Sequence, residues 1–207
     1  MLQVDGFALG PLQTNAYIVM KPEEKRCIVI DPGMNPQALL RKVADYEVEA
    51  ILLTHAHFDH IGGVDELRKL KGCPVYLHDA EAGWLTDARK NGSLNWPDIG
   101  PPIVTDPAEY GLAHNQTLKL LGETFKVFHT PGHSPGSCSF LLGDKLFGGD
   151  VLFRKSVGRT DLAGGSSRDL YNSIHSILFK LDDQTVVYPG HGPRTTIRYE
   201  KEHNPYV

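Results

Sequence analysis

From Thr54 the chain reads Thr-His-Ala-His-Phe-Asp-His, which places His55, His57, Asp59 and His60 within six residues. Imidazole and carboxylate groups are the usual hard-to-borderline donors for zinc and similar divalent ions. A regular strand would send His55 and His57 to opposite faces. Convergence on one ion therefore requires a tight loop, which Gly62 and Gly63 permit. Three more donors stand alone beside glycines: His133 in Thr-Pro-Gly-His, Asp150 in Gly-Gly-Asp and His191 in Tyr-Pro-Gly-His. Singly, each reads as an ordinary turn residue. With the cluster they make seven donors, the number that two metal ions need.

Two divalent ions bring a charge of +4; Asp59, Asp150 and a hydroxide held between the ions remove three, leaving a local excess of about +1. Such a pair lowers the pKa of bound water towards the value of about 7 seen with a single catalytic zinc. A hydroxide is then available to attack an acyl carbon, and the cations offset the charge that develops on the carbonyl oxygen. The leaving thiolate of a thioester has a pKa of about 8.5 and departs without a strong general acid. No separate carboxylate or Ser–His pair stands ready to assist a poorer leaving group, so a thioester or a lactone is the economical substrate. Asp59 could orient the nucleophile as well as bind metal. Asp31 reads equally as an acceptor for a ligand imidazole or as a plain Asp-Pro turn.

The elements that must hold these donors alternate. Strands are predicted over 3–9, 16–19 and 27–30, and a helix from Pro36 with Asn35 as its N-cap. A buried strand over 49–54 delivers the cluster on a polar loop, 55–63. A helix over 64–70 stopping at Gly72 and a strand over 75–77 follow. Residues 91–111, rich in proline and glycine, read as a long loop of the kind that serves as a lid. Strands then return over 117–121, 124–128, 137–142 and 145–147, with turns at Gly122-Glu123 and Gly143-Asp144. A helix over 168–181 and a last strand over 185–188 complete the series. Two blocks of strands followed by helices suggest an α+β protein with two sheets face to face and helices outside. His129 reads as hydrogen-bonded structure or a support to the site, and His175 as the polar edge of a helix.

At 207 residues the chain fits one domain, 1–207, on the scale of roughly 150 residues per domain. A net charge of −4 argues against nucleic acid or an anionic membrane as partner. No run of 18 apolar residues suggests a membrane span. The N-terminus lacks the basic and apolar stretches of a signal peptide. The three cysteines, without a C-x-x-C pair, suggest free thiols and a cytoplasmic setting. Composition is silent on oligomeric state.

The ordered run His55, His57, Asp59, His60, then His133, Asp150 and His191, resembles the metallo-β-lactamase superfamily over essentially the whole chain. Within it the sequence is most similar to the short bacterial relatives of glyoxalase II. Pro11-Leu12-Gln13-Thr14-Asn15-Ala16-Tyr17, Gly149-Asp150-Val151-Leu152-Phe153 and Gly158-Arg159-Thr160-Asp161 support this, as does Pro189-Gly190-His191-Gly192-Pro193. The resemblance implies an αββα sandwich with a two-metal site at the sheet edges. His55, His57 and His133 would hold one ion, Asp59, His60 and His191 the other, and Asp150 would bridge. Zinc is the first choice of metal, with iron or manganese as alternatives. The implied activity is hydrolysis of S-acyl-glutathione or a similar acyl-thiol. A single-iron persulfide dioxygenase, which shares the Gly-Arg-Thr-Asp segment, or a lactone hydrolase is the alternative.

Antibiotic-hydrolysing relatives carry Cys or Ser where Asp150 stands, and oxygen-reducing di-iron relatives carry Glu where His57 stands, so both activities are disfavoured. Full-length glyoxalase II has a basic C-terminal helical domain, which this sequence does not contain. It also has a Lys and a Tyr that contact glutathione where Arg159 and Asp161 stand here. Arg159 could bind a substrate carboxylate or pair with Asp161.

Overall fold

The computed structural model describes residues 2–207. In chain order its strands are β1 (Gln3–Leu9), β2 (Thr14–Lys21), β3 (Arg26–Ile30), β4 (Glu47–Leu52), β5 (Val75–His78), β6 (Tyr110–Leu112) and β7 (Thr117–Leu120). There follow β8 (Glu123–His129), β9 (Cys138–Leu142), β10 (Lys145–Gly149), β11 (Leu152–Phe153), β12 (Ser156–Val157), β13 (Val186–Pro189) and β14 (Thr195–Thr196). The helices are α1 (Gln37–Lys42), α2 (Phe58–Ile61), α3 (Val64–Lys71), α4 (Ser167–Ser176) and α5 (Ile197–His203).

One sheet runs β1-β2-β3-β4-β5-β6, antiparallel to β3 and parallel beyond it. The other runs β14-β13-β10-β9-β8-β7, with only β13 and β10 parallel. Their strands alternate between two apolar layers, as a period of two requires. In β3, Ile28 and Ile30 face the second sheet and meet the layer of Phe125, Val127, Phe140 and Phe147. Cys27 and Val29 of the same strand face outward to Leu39, Val43 and Leu67 beneath α1 and α3. On the far side, α4 and α5 cover Leu146 and Val187 with Leu170, Ile174 and Ile197. Both faces of these strands are therefore buried, which explains their nearly continuous apolar runs. The result is an αββα sandwich, the architecture that the sequence resemblance implies.

Several local expectations need correction. Asn35 does not cap α1: it adopts a left-handed φ of 55°, and Pro36 occupies the cap without a side-chain bond. The loop 55–63 contains the single turn α2. The segment 91–111 runs into β6, whose Tyr110 and Gly111 pair with β5. The β7–β8 hairpin turns at Leu121-Gly122, both at positive φ, rather than at Gly122-Glu123, with Leu120 opposite Glu123. The helix expected over 168–181 ends at Ser176 and gives way to a 3-10 turn, Leu178–Lys180. The strand at 185–188 is not the last, because β14 and α5 follow it. All three cysteines are buried and free, and no helix among the described residues is long and apolar enough to cross a membrane.

Candidate metal centre and its cavity

β4 runs out at Leu52, and the chain bends at Thr54 and is extended at His57 before winding into α2. This brings His55, His57, Asp59 and His60, from the first sheet, to its edge. His133 follows β8, Asp150 follows β10 and His191 follows β13, so the second sheet supplies the other donors from the facing edge. Six of the seven are buried and His191 is partly exposed. Donor atoms of His55, His57 and His133 lie within 4.8 Å of one another, as do those of His55, His60 and Asp150 and those of Asp59, His60 and His191. Asp150 faces both sides: its carboxylate lies 3.5 Å from His133 Nε2, 3.4 Å from His60 Nε2 and 3.5 Å from His191 Nε2.

Other residues fix how the rings point. His60 Nδ1 bonds to Asp31 Oδ2 at 3.0 Å, His133 Nδ1 to the Arg159 carbonyl at 2.8 Å, and His191 Nδ1 to the Leu12 carbonyl at 3.2 Å. The Thr54 hydroxyl donates to Asp31 at 2.6 Å, leaving its oxygen to accept from His55 Nδ1 at 3.1 Å. Each Nδ1 is thereby committed as the N–H, and each Nε2 turns a lone pair inward. Asp31, left open between two readings in the sequence, is thus a buried acceptor for a donor histidine. Glycines supply the clearance. A Cβ at Gly190 would stand 2.0 Å from Asp150 Oδ1, and one at Gly149, at φ 52°, would stand 2.5 Å from the Thr54 hydroxyl.

The cluster is short of positive charge. Burial works against the charged form of His60, but Asp59, Asp150 and Asp31 outweigh it and raise the pKa well above the ordinary histidine value. His191 is raised in the same way, its burial outweighed by Asp59 and Asp150. His55 is lowered by burial and by the other rings, and His57 falls to about 3 through burial and His133. Burial would raise both acids, yet the surrounding imidazoles hold Asp150 at about 2 and Asp59 below its usual range.

His55 Nε2, His60 Nε2 and Asp150 Oδ1 are buried without a hydrogen-bond partner, at a cost of about 1–3 kcal/mol for each such group. His57 Nδ1 and His133 Nε2 point at each other 2.9 Å apart. Inward lone pairs, orphaned buried donors and three clustered carboxylates all fit divalent cations. Asp31 also revises the charge sum made from the sequence, since its charge offsets the local excess of about +1.

Five of the donors, His57, Asp59, His133, Asp150 and His191, floor a cavity of about 470 Å³. Its walls include Leu12, Phe58, Trp96, Phe153 and Val157, with Arg89, Lys90 and Arg159 also lining it. Asn91 anchors one wall: its carbonyl accepts from Phe58 N–H at 3.1 Å, and its amide donates to Trp84 and Ile103 carbonyls at 3.1 and 2.8 Å. Arg159 lines the cavity, but its guanidinium is held by Asp161 through two bonds of 2.7 Å. Lys90 lies 3.9 Å from Asp87, whereas Arg89 has no ion pair among the described residues.

A metallo-beta-lactamase superfamily model matches residues 9–191, spanning every one of these donors. The chain belongs to the metallo-beta-lactamase superfamily. It is 40% identical over 203 residues to the Bacillus subtilis protein named Probable metallo-hydrolase YqgX, covering 96% of this chain and 94% of that protein. It is 32% identical over 212 residues to the Haemophilus influenzae hydroxyacylglutathione hydrolase GloC, covering 100% and 98%. Among solved structures, BLEG-1 B3 metallo-beta-lactamase superposes with a TM-score of 0.93 at 46% identity, covering 99% of each chain. TTHA1623, solved in a di-iron-bound form, superposes with a TM-score of 0.85 at 39% identity, covering 98% and 100%. The chain is therefore a metallo-hydrolase of a superfamily that binds divalent metals.

Other histidines lie outside the cluster. His129 stacks on His78, with ring centroids 4.0 Å apart, and bonds to the Pro135 carbonyl at 2.9 Å. His175 is half-buried against Tyr171. The sequence reading missed Thr14, whose hydroxyl donates to Asp59 Oδ2 at 2.6 Å, and Glu81, which is fully buried. Thr14 lies in a quoted motif, but neither residue has a spacing that marks it. It also missed the cavity walls, which come from segments distant in the chain.

Proposed function

We propose that this metallo-hydrolase cleaves a thioester, an S-acyl-glutathione or similar acyl-thiol. The observation that carries the reading is the convergence of seven donors under a largely apolar cavity. His55, His57 and His133 would hold one divalent ion, Asp59, His60 and His191 a second, and Asp150 would face both. Zinc is the first assignment; iron and manganese suit the same donors, and the di-iron form of TTHA1623 supports iron. When bound, the ions supply Lewis acidity, which makes water nucleophilic at neutral pH and polarises an acyl carbonyl.

The chain's own residues do the rest. Asp59, steadied by Thr14, orients the attacking water at the acyl carbon. Phe58, Trp96 and Phe153 pack the acyl and thiol portions and limit access of bulk water. Collapse of the tetrahedral carbon breaks the C–S bond, and the thiolate leaves without a proton because its pKa is about 8.5. Arg89 faces an anionic group on the thiol; Arg159 does so if substrate displaces Asp161. The similarity to hydroxyacylglutathione hydrolase GloC supports this substrate class.

A second reading, β-lactam hydrolysis, draws on the similarity to BLEG-1 B3 metallo-beta-lactamase. Against it stands Asp150, where antibiotic-hydrolysing relatives carry Cys or Ser. The test is metal analysis of the purified protein with three parallel assays. The proposal expects two metals per chain and thiol release from S-lactoyl-glutathione that stops on chelation. Faster opening of a β-lactam would favour the second reading. One iron with oxygen consumption on glutathione persulfide would replace hydrolysis by dioxygenation.

A further inference from the structure

We propose that Glu81 is the positioning residue that sets the geometry of the His55–His57–His133 donor set; this rests on the two-metal reading above. Glu81 lies on the 3-10 turn Asp79–Trp84 after β5 and is fully buried. Its Oε2 accepts from the Ala56 N–H at 2.6 Å, and its Oε1 from the Gly136 N–H at 2.7 Å. Ala56 separates His55 from His57, and Gly136 lies just beyond His133. One carboxylate thus ties together two loops from different sheets, the loops that bring the three imidazoles into one place.

The fit around it is close. A Cβ at Gly136 would stand 2.8 Å from Glu81 Cγ and 3.0 Å from Cδ. Among the described residues no Lys or Arg pairs with Glu81, and neither of its oxygens bonds to a histidine ring. It acts through the backbone of its neighbours. A buried carboxylate without a cation is costly unless hydrogen bonds satisfy it, and here they come from the donor-bearing loops.

The other donor set has supports of its own, Thr14 on Asp59 and the Leu12 carbonyl on His191, whereas Asp31 holds His60 directly and His55 through Thr54 and so serves both sets. The effect of Glu81 should therefore be selective. Glu81→Gln keeps the shape but turns an N–H towards one of the two backbone N–H groups. That loosens one loop while leaving the second set supported.

The test is zinc titration of the metal-free full chain against a chromophoric chelator, read per equivalent, for wild type, Glu81→Gln, Thr14→Val, the double variant and Val43→Ala. The core variant controls for lost stability. Wild type should take two equivalents. Glu81→Gln should weaken one by about 10–100-fold and leave the other within about twofold, and Thr14→Val, which removes the hydroxyl that holds Asp59, should weaken the opposite one. The double variant should then weaken both, and Val43→Ala neither.

Equal weakening of both equivalents in Glu81→Gln, or of neither, overturns the inference. A double variant that keeps one tight equivalent also overturns it, because both substitutions would then act on the same ion. If Glu81→Gln does not fold, Gly136→Ala, which displaces the carboxylate while keeping it, must show the same one-sided loss or the inference fails. Wild type binding fewer than two equivalents would overturn the two-metal reading and this inference with it. Two tight equivalents in folded Glu81→Gln overturn this inference alone.

Discussion

At the floor of the cavity each histidine bonded through Nδ1 is held by a partner such as Asp31, Thr54 or a backbone carbonyl. In the wall above, Trp96 is 41% exposed, and Arg89 is exposed without an ion pair among the described residues. The floor accepts the cost of buried polar atoms, because donors must converge before an ion can bind. The wall carries apolar area and charge that a ligand can cover. Changes at the floor should therefore act on metal binding and turnover, and changes in the wall on substrate affinity and choice.

The largest expected effect would come from the floor. Asp150→Ala removes the carboxylate that faces His60, His133 and His191, and should lower kcat for thioester hydrolysis by about 10³-fold or more. Turnover measured after adding excess zinc checks this. Asp59→Ala should give a comparable loss with the far-ultraviolet circular dichroism spectrum unchanged; retained turnover would contradict its role. Next, Asp31→Asn keeps the size of the side chain but weakens the acceptor of His60, and should reduce metal affinity by about 10–100-fold, read by chelator competition.

Wall changes should be smaller and of another kind. Trp96→Ala should raise KM for a long acyl thioester by about tenfold, the worth of roughly 1.4 kcal/mol of lost apolar contact, with kcat nearly unchanged. A fall in kcat with constant KM would erase the distinction between floor and wall. The smallest effect is expected at Arg89→Ala: a KM increase of a few-fold for an anionic thiol ester that shrinks as salt is raised, and no change for an uncharged thioester.

The seven donors were legible because metal ligation demands particular side chains, and four of them fall in one short run. β1 was legible over Gln3–Leu9, as was the stop of α3 at Gly72, whose left-handed φ of 64° suits glycine. The end of the chain was less so: β14 has two residues, and α5 has seven and draws its stability from packing Ile197 against the second sheet. Asn35 has the chemistry of a cap, but its left-handed backbone uses it as a turn instead. Glu81 and Thr14 escaped notice for a different reason: a buried polar residue is recognised by its partners. Those partners come together only on folding: Asp59 and Ala56 when strand ends of the first sheet line up, and Gly136 when the second sheet's edge meets them.

The central claim is that two divalent ions sit among these donors. It is tested most directly by an anomalous-difference map from crystals of the zinc-loaded protein, recorded on either side of the zinc edge. Two peaks are predicted, one among His55, His57 and His133 and the other among Asp59, His60 and His191, with Asp150 reaching both. A single peak, or none, at full zinc loading would contradict it.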